Sequence, residues 1–158
     1  MCGIIAHVGD KRALNPLVTG LENLEYRGYD SAGVAVKNGS GLDVWKCSGQ
    51  VSDLKETIDD VETKANLGIG HTRWSTHGPP SDENAHPHTD ESSRVAAVHN
   101  GIIENYEVIK EKLLDKGYEF TSDTDTEVIP NLISYYLDRG NEPLAAFNHT
   151  VDDLEGSY

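Results

Sequence analysis

The sequence predicts a mixed α+β domain, and three patterns carry that prediction. Apolar runs of strand length recur at residues 4–8, 34–36, 42–45, 67–70 and 95–98. Apolar residues at helical spacing fill the stretches between and after them, and Asn38-Gly39-Ser40-Gly41 supplies a hairpin turn. At 158 residues the chain is of one-domain size and can bury a core without disulfides or metal as staples.

Taken in order, Ile4, Ile5 and Val8 describe a short, largely buried strand that stops at Gly9-Asp10 and seats Cys2 at its very start. From Asn15-Pro16 onward Leu17, Val18, Leu21 and Leu24 mark one face of a helix, with Pro16 where an amide donor is unpaired in any case. The helix runs into Glu25-Tyr26-Arg27-Gly28-Tyr29-Asp30-Ser31-Ala32-Gly33, a loop richer in polar and aromatic side chains than a connection needs. Arg27 within it is either a surface charge or an ordering group for a substrate site. The hairpin follows, with Trp45 continuing its second strand. Ser52 is the expected cap of an acidic helix whose apolar face is Leu54, Ile58 and Val61. Leu67-Gly68-Ile69-Gly70 is a thin strand giving way to a polar loop, His71-Thr72-Arg73-Trp74-Ser75-Thr76-His77-Gly78-Pro79-Pro80. Residues 95–98 form a buried strand with His99-Asn100-Gly101 at its end. Tyr106, Ile109, Leu113 and a closing Gly117 describe a helix, and Tyr118 with Phe120 a short strand. Residues 121–127 supply caps and first-turn acids for a helix carrying Val128, Ile129, Leu132, Ile133 and Tyr136. Leu144, Phe147, Val151 and Leu154 give a last helix after Glu142-Pro143, and the chain stops at Tyr158 without a clear end signal.

Composition removes several function classes. With 27 Asp and Glu against 13 Lys and Arg, the formal net charge of −14 repels polyanions, so no nucleic acid partner is expected. No window approaches the ~18 apolar residues of a membrane span, and the N-terminus lacks the basic and apolar regions of a signal peptide. The expectation is a cytoplasmic protein with no membrane partner. A high-salt cytoplasm would account for the distributed acidity, an ordinary acidic protein being the alternative; unfolding followed from low to molar KCl separates the two. Two distant cysteines make no disulfide framework, and Cys47 is expected to pack as a small apolar side chain.

Cys2 carries the chemistry. Removal of Met1 requires a small second residue, and Cys followed by Gly meets that requirement, so the mature chain begins with a thiol and a free α-amine on one residue. The amine titrates near ~7.7–8.0, below the ~8.5 of a free thiol, and can act as the general base for it. Arg73 offers a planar fork matched to a carboxylate, with Trp74 as a rigid wall beside it; pairing of Arg73 with an acid and burial of Trp74 in the core is the alternative. Asn100 and the unhindered Gly101 N–H at a strand end can line an oxyanion hole, or else form only a turn. An aspartate at the loop-to-helix junction of residues 121–127 can face a ligand ammonium rather than cap the helix. His71, His77, His86, His88, His99 and Asp90 invite a metal, but their spacings match neither a helix-borne His pair nor a Cys knuckle, so neither metal nor cofactor is expected.

Together, Met1-Cys2-Gly3-Ile4, residues 25–33, residues 71–78, Asn84-Ala85-His86-Pro87-His88, His99-Asn100-Gly101 and Thr124-Asp125-Thr126-Glu127 closely resemble the class II glutamine amidotransferases, across the whole chain. Within that family the resemblance is to members that feed ammonia to fructose 6-phosphate. It implies an N-terminal nucleophile hydrolase fold, an αββα sandwich of two sheets between helical layers. It also implies roles at the matching positions. Cys2 attacks the glutamine carboxamide, its α-amine relays the proton, and Asn100 with the Gly101 N–H holds the oxyanion. Arg73 holds the glutamine carboxylate with Thr76 and His77 beside it, Asp125 holds the ammonium, and Trp74 helps close the site. Arg27 and His86 match positions near the site or its coupling to an acceptor domain. In such members the glutaminase domain runs beyond the position of Tyr158, and sugar isomerase domains that bind fructose 6-phosphate follow. Residues 1–158 are therefore expected to be the leading portion of the domain, incomplete at the C-terminal end. A non-catalytic glutamine-binding or partner-binding domain remains the alternative, a metal-dependent hydrolase a third, and homo-oligomer formation is open.

Overall fold

The structure is a computed structural model describing residues 2–75 and 78–158. Four strands, β1 (Gly3–Val8), β2 (Ser31–Asn38), β3 (Gly41–Ser48) and β4 (Leu67–Arg73), form an antiparallel sheet in the order β1-β4-β2-β3. The hairpin is as expected: Asn38 pairs with Gly41 across the two-residue turn Gly39-Ser40. Helices α1 (Leu14–Leu24) and α2 (Val51–Ile58) cover one face. There Leu17, Leu21, Val34, Val36, Val51 and Leu54 are fully buried, each worth roughly 1.5–3 kcal/mol of transfer free energy for a Val or Leu removed from water.

Several expectations are corrected at this level. β1 is an edge strand and only alternately covered: Ile5 packs on the core, whereas Val8 is 81% exposed, because helices lie on one side of it only. Ser52 lies inside α2. Gln50 is the cap, its N–H donating to the Asp53 carboxylate at 2.7 Å, while the Val51 N–H donates to Glu25 at 2.7 Å. β4 does not end at Gly70. Thr72 pairs with both Gly3 and Ala32, and Arg73 with Ser31, so bonding from two neighbours carries the strand three residues into what reads as loop.

The rest of the chain lies on the second face of the sheet at β2 and β4, where His71 meets the His99 carbonyl, and leaves Ile4, Ala6 and Val8 of β1 exposed. Gly33 in β2 makes room for this: a Cβ there would stand 2.2 Å from the His86 carbonyl oxygen. The segment is fastened from β3 by Lys46, whose ammonium donates to the Glu83 and Ala85 carbonyls at 3.0 Å each. Two short ladders follow, β5 (His88–Thr89) with β6 (Ala96–Ala97) and β7 (Ile102–Ile103) with β8 (Gly156–Ser157). Residues 95–98 thus yield a two-residue, half-buried strand rather than a buried one, and Tyr118 and Phe120 form no strand. The pairing of β8 was invisible in the sequence, where Gly156-Ser157 has no strand pattern.

Helices α3 (Tyr106–Leu114), α4 (Val128–Leu137) and α5 (Pro143–Asp153) make the outer layer, closed on Ile103, Ile109, Leu113, Val128, Leu132 and Leu154. Gly117 ends α3 as expected, at φ 88° with its N–H on the Leu114 carbonyl and the next N–H on that of Leu113. The order of layers is helix, sheet, short ladders, helix, which is the αββα arrangement. What lies between the two β layers is largely polar, with His71, His86, His88, His99, Thr124 and Thr126 all buried.

Candidate active site

Cys2 sits where β1 begins. The next N–H, of Gly3, donates to the Thr72 hydroxyl at 3.2 Å, and the Cys2 carbonyl accepts from Arg27 Nε at 3.2 Å. Its Sγ accepts from the Trp74 N–H at 3.4 Å and lies 3.8 Å from the Trp74 carbonyl. A half-buried thiol is thereby fixed at a strand end by groups from two other segments, the end of β4 and the turn that carries Arg27. Arg27, open between two roles in the sequence, lies on the backbone of the thiol-bearing residue. Cys47 is different: it packs against the core under α1 and α2, where burial, followed by Asp53 and Asp82, pushes its thiol up.

A cavity of about 250 Å³ opens beside Cys2, below the ~300–1,000 Å³ usual for drug-sized ligands and so suited to an amino-acid-sized one. Its walls include Cys2, Arg73, Trp74, His86, Asn100, Gly101 and Asp125, so all but three of the ten residues given a role by the family resemblance converge here, while the metal candidates His71, His88 and Asp90 do not line it. Arg27 stands behind Cys2, and Thr76 and His77 lie outside the described residues. Arg73 is buried. Its guanidinium donates to the Pro79 and Gly78 carbonyls at 3.4 and 3.3 Å, and burial lowers its pKa against the opposing pull of Cys2, Asp30 and Asp125. Trp74 is not core: it is 45% exposed and braced edge-on by Tyr29 at 5.4 Å. Asp125 is buried at the start of the 3-10 turn Asp125–Glu127 and accepts from the Ile103 N–H at 2.8 Å. The carboxylate of Glu127 holds the loop before it, accepting from the Thr121 and Ser122 N–H groups at 2.9 and 2.7 Å. Gly101 must be glycine, because the β8 backbone lies on it and a Cβ would be 2.0 Å from the Ser157 carbonyl oxygen. His99, Ile102, Thr124 and Thr126 also line the cavity without a role assigned from the sequence; His99, Thr124 and Thr126 belong to the family-like stretches, and nothing in the sequence pointed to Ile102.

A family model described as a glutamine amidotransferase domain matches residues 56–150. The chain belongs to this family. Over its whole length it is 52% identical to a glutamine–fructose-6-phosphate aminotransferase (isomerising) of Clostridium acetobutylicum and 51% identical to one of Thermococcus kodakarensis. It spans about a quarter of these relatives, 26% of each. Among solved structures it is similar to the glutamine phosphoribosylpyrophosphate amidotransferase of B. subtilis complexed with ADP and GMP. That match has a TM-score of 0.80 at 26% identity and covers all of this chain and 34% of that one. A structure described as the allosteric regulatory enzyme of purine biosynthesis gives 0.84 at 26% identity, with the same coverage. The amidotransferase domain thus has the N-terminal nucleophile hydrolase fold, as the resemblance implied. No helix among its described residues is long and apolar enough to cross a membrane.

Three buried histidines, His71, His86 and His88, are neutral and held by neighbouring groups. His86 Nδ1 accepts from the His99 N–H at 3.4 Å, which leaves its proton on Nε2, and its ring stacks on His71 at 4.2 Å. His71 Nε2 donates to the His99 carbonyl at 3.1 Å, and His88 Nε2 meets the Thr124 hydroxyl at 2.9 Å. Burial pushes His71 and His88 down to about 3 and His86 well below its ordinary value, with neighbouring rings and cations adding to the effect. Because the folded values lie below the ordinary ~6.5, an acidified unfolded chain binds protons that the folded chain refuses, and stability falls with pH. From pH 7 to 5.5 each fully shifted histidine costs about 1.3 kcal/mol, so His71 and His88 together remove about 2–3 kcal/mol. Urea unfolding at the two pH values checks this, and equal midpoints would contradict it.

Proposed function

We propose that the domain hydrolyses glutamine to glutamate and ammonia through a thioester on Cys2. With Met1 removed, the Cys2 α-amine takes the thiol proton as Sγ attacks the carboxamide carbon. Asn100 Nδ2 and the Gly101 N–H receive the oxyanion, and the amine passes its proton to the departing nitrogen, which leaves as ammonia. Water then attacks the thioester carbon, glutamate departs and the thiol is restored. Arg73 holds the α-carboxylate with Thr76 and His77 beside it, Asp125 holds the α-ammonium, and Trp74 walls the side chain in. Arg27 steadies the Cys2 backbone, and His86 forms part of the cavity wall and supports it through the His99 N–H.

What supports this reading is that a single amino-acid-sized cavity has the thiol, an amide side chain and Gly101 among its walls together with a buried cation and a buried carboxylate. Those two charges match the zwitterionic end of an amino acid, and the thiol matches an electrophile at its other end. In a longer protein like the relatives, the ammonia would serve fructose 6-phosphate held on sugar isomerase domains, giving glucosamine 6-phosphate in the cytoplasm.

The test is Arg73→Lys in a glutamate-release assay. An ammonium cannot reproduce the bidentate fork, so the KM for glutamine rises strongly while kcat changes far less. An unchanged KM contradicts the carboxylate assignment. Binding of glutamine without any glutamate release would instead favour a non-catalytic binding domain.

A further inference from the structure

We propose that Asn84 is a positioning residue that sets the spacing between the two charged holders of glutamine, Arg73 and Asp125. The inference rests on the glutaminase reading and deepens it. Asn84 is only 2% exposed, lies outside the cavity wall, and uses both ends of its amide. Its Nδ2 donates to the Pro79 carbonyl at 3.0 Å, the same oxygen that accepts from Arg73 Nη1 at 3.4 Å. Its Oδ1 accepts from the Asp123 N–H at 2.9 Å, two residues before Asp125. Only one orientation of the amide satisfies a carbonyl at one end and an N–H at the other, so the side chain is locked. The two loops meet at this residue. A Cβ on Gly78 would stand 2.7 Å from Asn84 Nδ2 and 3.2 Å from Asp123 Cβ, which leaves no slack for one loop to slide on the other. Asn84 is itself anchored, its N–H on the Ser81 hydroxyl at 3.2 Å and the next carbonyl on Lys46 at 3.0 Å.

A buried amide bridging two loops fixes their separation more tightly than either loop fixes itself, and a ligand held at both charged ends is sensitive to that separation. Asn84→Asp keeps the size and the Asp123 arm but turns the donor arm into a carboxylate facing the Pro79 carbonyl, so it disturbs the Arg73 side alone. Asn84→Ala removes both arms.

The experiment is steady-state glutaminase kinetics on the full chain for Asn84→Asp, Asn84→Ala, Arg73→Lys and the double variant Asn84→Asp/Arg73→Lys, with thermal unfolding run alongside. Both Asn84 variants should raise the glutamine KM about tenfold, as expected for a lost buried hydrogen bond, with kcat held within about threefold. In the double variant the KM increases should fall short of multiplying, because both changes act through one carbonyl oxygen. An unchanged KM, a kcat loss with KM constant, fully multiplicative effects, or variants that do not fold would each make Asn84 merely structural and overturn the proposal. If Arg73→Lys raises KM and Asn84→Asp does not, the spacing role alone fails; if the unmodified protein releases no glutamate, the glutaminase reading itself fails.

Discussion

Cys2→Ala is expected to abolish glutamate release while glutamine still binds. Alanine keeps the α-amine, the backbone carbonyl that accepts from Arg27 and the start of β1, and removes only the sulfur that the Trp74 N–H meets at 3.4 Å. The loss therefore isolates the nucleophile from the scaffold. No second thiol can stand in, since Cys47 is packed on the helical side of the sheet with its thiol pushed up by burial. Calorimetric titration of Cys2→Ala with glutamine, beside a glutamate-release assay, checks both halves. Turnover that survives in this variant contradicts the mechanism, whereas lost binding would mean that Cys2 is needed to shape the cavity.

Asn100→Ala is expected to lower kcat by about 10²–10³ with little change in KM, the usual cost of removing one oxyanion donor. Asn100 is exposed at the cavity, so its truncation leaves no buried group stranded and the fold should be unaffected. Gly101→Ala acts in the same direction by a different route. A new Cβ would collide with the Ser157 carbonyl, and relieving the clash displaces either β8 or the Gly101 N–H. Steady-state kinetics with thermal unfolding separates these two cases: Asn100→Ala loses rate at constant stability, and Gly101→Ala loses both. An intact kcat in Asn100→Ala removes it from the oxyanion hole.

Much of the site was legible from its residues in combination. A thiol at position 2, an Arg-Trp pair in a dense polar stretch and Asn-Gly after an apolar run each had an ordinary alternative and pointed to a site only when taken together, and the structure brings Cys2, Arg73, Trp74, Asn100, Gly101 and Asp125 around one cavity. What periodicity could not reveal depends on neighbours distant in sequence. Extension of β4 to Arg73 comes from pairing with β1 and β2 at once, and β8 exists only because Ile102 and Ile103 offer it a partner. The half-exposed state of β1 follows from its edge position, which an apolar run cannot encode. Gln50 rather than Ser52 is the cap because Asp53 accepts from the Gln50 N–H and Glu25, from outside the helix, accepts from the first N–H of α2. Asn84 carries no chemical signal in the sequence beyond its place beside His86, and its partners at Pro79 and Asp123 lie on two different loops.

If one residue, Cys2, supplies both nucleophile and base, the mass of the chain must show it. The protein is treated with a glutamine-like electrophile that alkylates thiols, then weighed intact and mapped by peptide. The expected result is a chain lacking Met1 with one adduct, on Cys2, and none on Cys47. A chain that retains Met1, or an adduct on Cys47 with Cys2 untouched, would contradict it.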